Sequence, residues 1–356
     1  MIGKAGAMFV SGISSQRSSG SLISSATAGQ TSPAMKSDKI AIVSTAFDRL
    51  IAPLDQRTFF LRYWGKEHLI CRGKSDLHKS LFSWSALSDV LSTHRIEYPR
   101  LRLLRGGQLI PHEQYITDRV DRVGNPYSSQ DSQAVAALME AGAMLHITSI
   151  GETWKPLATF AGQLEQPLCG RVQVNLHAGL AKAKGFHTHW DGHDVFAVQI
   201  NGRKRWRLFG ITAEAPLAIP PEEKRGAPTH HIWEGVLEPG DMLYLPRGYW
   251  HATQFIDDAS LHLTFAVQHP TSIDFIQWLL KYLAENAAVR RDIPAAIFEL
   301  SDIGGQTRDT YIQELGALLL NAISHESLTR FLMEYRATLG RVNHIQLTER
   351  SSYENR

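Results

Sequence analysis

The sequence predicts a mainly β fold with helices: a β-rich centre, helices ahead of it and a helical C-terminal domain. Three observations carry this. An apolar run at 195–200 meets Asn201-Gly202 and continues as Arg203-Lys204-Arg205-Trp206-Arg207-Leu208-Phe209, with basic and apolar residues alternating. Asn-Gly between two such arms is a strong hairpin signal. Residues 172–177 and 260–267 have the alternation or apolar density of half-buried and buried strands. From Ser272 apolar residues recur at helical spacing, with no comparable strand signal before Ile345.

Taken in order, residues 1–38 are rich in Ser, Ala and Gly, with no acidic residue before Asp38. Such a segment cannot bury enough apolar surface to fold. The expectation is a disordered tail, or a start read too early with Met35 as the true first residue, ahead of a basic, Ser-rich targeting segment. A globular pattern begins near Ile40, which sets a central domain at 39–270. Phe47, Leu50, Ile51, Phe59, Phe60, Tyr63 and Trp64 sit at helical spacing, and 69–72 reads as a short strand. A helix is expected over 84–91 with Ser83 as N-cap, then a hairpin across Gly106-Gly107. Residues 124–132 read as a loop, 133–141 as a helix and 144–147 as a buried strand, in which His146 is a core histidine rather than a ligand. A helix over 154–164 leads to the strand 172–177, which places Gln173, Asn175 and His177 on one face, toward a barrel lumen or toward solvent. Residues 216–228 form a proline- and charge-rich loop, and His230-His231 beyond it read as surface. Thr264 lies on the last strand, on a face that parity does not decide. Helices over 273–286, 311–323 and 328–339 make up a C-terminal domain at 271–356.

Composition narrows the function. The 356 residues carry a formal charge of +2, so bulk electrostatics give nucleic acid binding no support. Two cysteines, Cys71 and Cys169, are too few for a disulfide framework and suit a reducing cytosol. No apolar run approaches the ~20 residues of a membrane span.

The chemistry concentrates ahead of the Asn201-Gly202 turn, in Gly185-Phe186-His187-Thr188-His189-Trp190-Asp191-Gly192-His193-Asp194. In extended backbone, positions i and i+2 share a face, so His189 and Asp191 can bind one ion side by side. Two histidines and one carboxylate with open positions favour Fe(II). The third ligand is expected from another strand, and His251 in Pro246-Arg247-Gly248-Tyr249-Trp250-His251 is the best candidate. His187-x-His189 is a rival pair, and His193-Asp194 are candidates for orienting the ligands. Lys204 shares parity with Trp206 and Leu208, an apolar face where an ammonium needs a partner.

These residues resemble a known family. His189-Trp190-Asp191-Gly192-His193-Asp194-Val195-Phe196, Gly202-Arg203-Lys204-Arg205-Trp206 and Pro246-Arg247-Gly248-Tyr249-Trp250-His251 are similar to the JmjC/cupin-type 2-oxoglutarate oxygenases, near the bacterial cupin-like group and the ribosomal oxygenases. The resemblance implies a double-stranded β-helix, a jelly-roll barrel of the cupin type. It implies Fe(II) on His189, Asp191 and His251, with 2-oxoglutarate and O2 on the remaining positions and no catalytic side chain beyond these ligands. It implies Lys204 for the distal carboxylate of 2-oxoglutarate, and Asn175 lining the same pocket. It further implies a cytoplasmic enzyme that hydroxylates a protein side chain, ribosomal proteins first among the substrates, and a homodimer formed through the C-terminal helices. Hydroxylation of a small molecule or biosynthetic peptide, and metal binding without turnover, are the alternatives.

Overall fold

The computed structural model describes residues 45–73, 76–180, 187–217, 226–298 and 302–340. The expectations for 1–38 and for Ile345 fall outside these residues. Its strands are β1 (Leu69–Cys71), β2 (Leu101–Arg105), β3 (Gln108–Leu109), β4 (Ile116–Val120), β5 (Pro126–Gln130), β6 (Met144–Ile147), β7 (Arg171–Leu180), β8 (Asp194–Asn201), β9 (Lys204–Ile211), β10 (Trp233–Leu237), β11 (Met242–Leu245), β12 (Tyr249–Phe255) and β13 (Ala259–Gln268). Eight of them form one sheet in the order β1-β11-β8-β13-β7-β6-β2-β3, and β10-β9-β12 form a second. The two sheets make the jelly-roll barrel that the resemblance implies.

The large sheet is buried on both faces, which explains the near-continuous apolar runs of β8, β11 and β13. Its outer face carries Phe196, Val198, Tyr244, Leu261, Leu263 and Phe265 into a core shared with the helices Ala46–Ile51, Trp84–Thr93 and Lys155–Leu168. Phe59 closes this core, with ring centroids 5.0 Å from Tyr244, 5.4 Å from Phe47 and 5.7 Å from Phe196. Burying each such side chain stabilises by roughly 1.5–3 kcal/mol. The inner face, with Val195, Ala197, Leu243 and Leu245, meets Trp206, Leu208 and Leu237 of the small sheet in a second core, the barrel lumen.

Local signals place the helices. Thr45 and Thr271 form capping boxes with Asp48 and Asp274, and Ser83 and Asp131 accept from the first-turn amides of their helices. At the C-terminal end, Ser272–Leu283 and His325–Arg336 meet through Phe275, Trp278 and Phe331, and the Trp278 indole donates to Glu334 at 2.7 Å. No helix among the described residues is long and apolar enough to cross a membrane.

Two expectations change. Residues 195–209 are not a paired hairpin: β8 pairs with β11 and β13, whereas β9 pairs with β10 and β12. Asn201-Gly202 turns the chain from one sheet into the other. A tight turn and alternating arms are common to both geometries, so local sequence could not separate them. Gly202 has φ +64°, and a Cβ there would run into the Ala259 carbonyl. Gln199 reinforces the corner by donating to the Asn201 and Gly202 carbonyls, both at 2.9 Å. The loop expected at 124–132 is instead the strand β5, paired with β4 in a hairpin of its own. Its Ser- and Gln-rich sequence lacks the apolar alternation of a half-buried strand because most of the hairpin faces solvent.

The corner yields a prediction. Gly202→Ala meets both an unfavourable left-handed conformation and a backbone clash. It should lower unfolding free energy by about 1–3 kcal/mol from conformation alone. Urea denaturation measures this, and an unchanged midpoint would refute the described corner.

Candidate metal centre

The segment carrying His189 and Asp191 follows β7 and lies outside the main ladders, so other contacts must fix it. His189 forms an isolated antiparallel bridge with His251 on β12. The His189 amide donates to the His251 carbonyl at 3.0 Å, and the His251 amide donates back at 2.8 Å. Gly248 N–H donates to the Asp191 carbonyl at 2.9 Å, and Arg247 N–H to Asp194 Oδ1 at 2.7 Å. These bonds staple the His-x-Asp segment to the Pro246-Arg247-Gly248 turn. A register shift between Trp250 and His251, where β12 pairs with β9, adjusts the direction of β12 at the same point.

The side chains converge accordingly. His189, Asp191 and His251 each place one donor atom within 4.8 Å of the others. His251 Nε2 lies 3.7 Å from Asp191 Oδ2. The Nδ1 of His189 lies 2.8 Å from the His187 carbonyl, and that of His251 lies 2.9 Å from the Tyr249 carbonyl. A carbonyl only accepts, so both rings carry their proton on Nδ1, and Nε2 is the lone-pair nitrogen. Burial pushes the His251 pKa down to about 4, assisted by His189 and opposed by Asp191, so the ring is neutral near pH 7. Two imidazoles presenting Nε2 and a carboxylate fit a divalent metal such as Fe(II), with coordination positions to spare.

The structure leaves other candidates outside this group. The His187 ring lies against Gly107 in the β2–β3 turn. His193 is not part of the group either. Asp194 does not orient a ligand ring; it holds the Arg247 amide and lies 3.4 Å from His269 Nε2. His230 and His231 are exposed, His231 facing Glu234 at 3.8 Å.

Lys204 lies inside the lumen and is 1 % exposed. Its Nζ is 3.2 Å from His262 Nδ1 and 4.4 Å from the Phe255 ring centroid. Among the described residues it pairs with no carboxylate, and burial pushes its pKa down to about 7. Asn175 is half-buried, with Oδ1 accepting from Ser149 N–H at 3.1 Å. Its neighbour His177 stacks on His262 at 4.5 Å, which settles that this face of β7 looks into the lumen. Thr264 shares the inward face of β13 with His262 and stands opposite Asn175.

Strand register gives the depth of each residue. Along β9 and β12, His251 stands opposite Leu208, Thr253 opposite Trp206, and Phe255 opposite Lys204. His251 and Lys204 are therefore two same-face steps apart, about 13 Å along the strands. In the large sheet, Asn175, Thr264 and Ala197 form a rung one step nearer the start of β8 than His177, His262 and Gln199. The convergent group sits at the mouth, and Lys204 sits at depth.

One feature was missed in the sequence. Arg102, His146, His177, His262 and Gln199 occupy one register row across β2, β6, β7, β13 and β8. The expectation that His146 is a buried core histidine holds, but it belongs to this row rather than standing alone. The available signal was the shared parity of His177 with Asn175 and of His262 with Thr264. Bringing these residues together also requires strand pairings that sequence does not reveal.

The chain is similar to known proteins across the barrel. A family model for the JmjC domain matches residues 154–275. Human ribosomal oxygenase 1 is 28 % identical over 275 residues, covering 74 % of this chain and 41 % of that protein. The bifunctional lysine-specific demethylase and histidyl-hydroxylase NO66 of Caenorhabditis elegans is 26 % identical over 299 residues, covering 79 % and 38 %. The chain thus spans about two fifths of the length of these relatives. Among solved structures, the Escherichia coli ribosomal oxygenase YcfD in complex with cobalt and 2-oxoglutarate superposes with a TM-score of 0.50 at 19 % identity, covering 80 % of this chain and 71 % of that one. Another structure of E. coli YcfD gives a TM-score of 0.51 at 18 % identity, covering 80 % and 72 %. Residues 154–275 thus carry the match to the JmjC domain, the chain is similar in sequence to the ribosomal oxygenases, and its fold is that of the JmjC/cupin barrels.

Proposed function

We propose that this protein is an Fe(II)- and 2-oxoglutarate-dependent oxygenase that hydroxylates a side chain of a protein substrate, with ribosomal proteins the first candidates. The observation that carries the reading is the pairing of His189, Asp191 and His251 at the lumen mouth with a buried Lys204 at depth that meets no carboxylate among the described residues. A small dicarboxylate fits that arrangement, with one end at the metal and the other at the lysine. The names of the relatives support a protein substrate, and the cobalt and 2-oxoglutarate of the YcfD complex support the ligand pair. The same reading places the enzyme in the cytoplasm.

In this reading His189 Nε2, His251 Nε2 and an Asp191 oxygen hold the iron. The backbone carbonyls behind both rings fix the tautomer that metal binding needs. Lys204 provides the charge for the distal carboxylate, and Asn175 lines the wall between. Val195, Ala197, Trp206 and Leu208 keep the cavity dry, which strengthens each of these polar contacts. The bound iron, with O2 and 2-oxoglutarate, supplies the oxidation that leaves succinate, CO2 and a hydroxylated substrate.

The C-terminal helices complete the proposal with a homodimer. Ile276 and Leu280 on one helix, Ile312 and Leu320 on the helix Asp302–Ala322, and Leu332 and Met333 on a third are all exposed. Apolar surface of this kind is stabilised by a partner.

Four outcomes test the reading. Anaerobic Fe(II) titration should give one strong site that is lost in His189→Ala, Asp191→Ala or His251→Ala and kept in His187→Ala; the reverse pattern would exchange the ligand assignment. Lys204→Ala should raise the 2-oxoglutarate concentration needed for turnover by about two orders of magnitude, the size expected of a desolvated charge-assisted bond, with Fe(II) affinity unchanged. Light scattering should report twice the chain mass, reduced to the monomer by Leu280→Asp with Leu320→Asp. The substrate is tested by mass spectrometry of ribosomal proteins from cells with and without the gene. A gain of one oxygen that depends on the gene supports the reading, and its absence moves the substrate elsewhere.

A further inference from the structure

Lys204 has one polar side chain within hydrogen-bonding distance among the described residues, His262. Among the described residues, His262 of β13 and the rings of Trp206 and Phe255 from β9 and β12 approach it, and its charge is felt across the row by His177 of β7 and His146 of β6. No carboxylate among the described residues pairs with it. An ammonium in such a place would swing or lose its proton unless a lone pair held it.

The row fixes which atom of His262 does so. At the far end, Arg102 Nη2 lies 3.0 Å from His146 Nδ1. A guanidinium only donates, so His146 accepts at Nδ1 and carries its proton on Nε2. At the near end Lys204, while it is charged, likewise only donates, so His262 accepts at Nδ1. His177 lies between, 4.6 Å from His146 and 4.5 Å from His262 by ring centroid, nearly parallel to the latter at 12°. Burial is the main cause that lowers the pKa of all three rings, that of His146 to about 3. A proton gained by any ring would add a third positive charge between Arg102 and Lys204 in a dry cavity, so the row stays neutral across the physiological range and the lone pair on His262 persists.

We propose that His262 is the positioning residue for Lys204, its Nδ1 lone pair holding the ammonium in the lumen where the far carboxylate of a dicarboxylate binds. The inference rests on the cosubstrate reading above. It also assigns a purpose to the row: Arg102, His146 and His177 preserve the acceptor rather than touch the ligand. The sign of the pH dependence follows. Below about pH 7 Lys204 is already charged and binds the dianion directly. Above that pH the amine must first take up a proton, so dicarboxylate affinity falls about tenfold per pH unit.

The test uses full-length protein loaded with Mn(II), and the probe is 2-oxoglutarate, titrated by calorimetry from pH 6 to 9. The wild type should show constant affinity below pH 7 and weakening above it. His262→Leu should bind 2-oxoglutarate about tenfold or more weakly at pH 8, with the bend moved to lower pH and Mn(II) affinity unchanged. His262→Asn, which keeps an acceptor oxygen, should recover most of the loss. Equal affinity and an equal bend in His262→Leu would overturn the proposal while leaving the cosubstrate reading intact. A wild type that binds Mn(II) but no 2-oxoglutarate at any pH would instead overturn that reading. Should His262→Leu fail to fold, nitrogen-15 NMR of the wild type decides. Protonation of His262 on Nε2 with no titration between pH 6 and 8 supports the proposal, and an Nδ1–H tautomer refutes it.

Discussion

The site depends on one pair of backbone hydrogen bonds, the reciprocal contact between His189 and His251 at 3.0 and 2.8 Å. His189 and Asp191 belong to a connecting segment, and a segment without a ladder has no reason to present a fixed face. The bridge gives it one. Once His189 is paired like a strand residue, the period of two puts Asp191 on the same side. The Gly248–Asp191 and Arg247–Asp194 bonds then stop rotation about the bridge. Each bond is worth about 0.5–1.5 kcal/mol net. Their larger effect is geometric, because together they convert a flexible connection into the third edge of a binding group whose other edge is an ordered strand.

The barrel interior sets this arrangement against stability. Jelly-roll lumens can be filled with apolar side chains, and Val195, Leu208, Leu237 and Leu243 do that here. A lysine 1 % exposed and three histidines aligned across three strands run against that logic. Burying an ammonium without an anion costs several kcal/mol or shifts its pKa, and the shift of Lys204 to about 7 records that cost. A fold tolerates such a conflict where function requires it, and the conflict is the physical reason to place an anionic ligand in the cavity.

Much of this was legible from the chain. His189-x-Asp191 and the distant His251 were recoverable because two short motifs carried the chemistry at fixed spacing. Lys204 was recoverable because alternation with Trp206 and Leu208 put it on the apolar face, where its burial places it. The helices were recoverable from caps such as Ser83 and Thr45 and from their apolar spacing. What sequence withheld was pairing. The same Asn-Gly turn serves a hairpin and a crossing between sheets, and only the partners of β8 and β9 distinguish them. The β4–β5 hairpin escaped notice because solvent-facing strands lack the apolar pattern. The histidine row was invisible for the stronger reason that His146, His177 and His262 come from strands far apart in sequence, and their alignment exists only in the register.

The two groups of histidines in the barrel show how one side chain is set to opposite tasks by its neighbours. At the mouth, His189 and His251 face backbone carbonyls, which cannot donate, so the proton stays on Nδ1 and the lone pair turns outward on Nε2. In the row, His146 faces Arg102, which cannot accept, so its lone pair stays on Nδ1 and its proton on Nε2; His262 stands in the same relation to Lys204 while the lysine is charged. Trp206 stands between the groups, stacked on His251 at 5.7 Å and edge-on to His262 at the same distance. The mouth and the row remain close enough to feel each other's charge, since His189 and His251 lower the pKa of the row histidines while Asp191 raises that of His146. One lumen thus holds imidazoles whose free nitrogen is Nε2 at one end and a ring whose Nδ1 faces a lysine at the other.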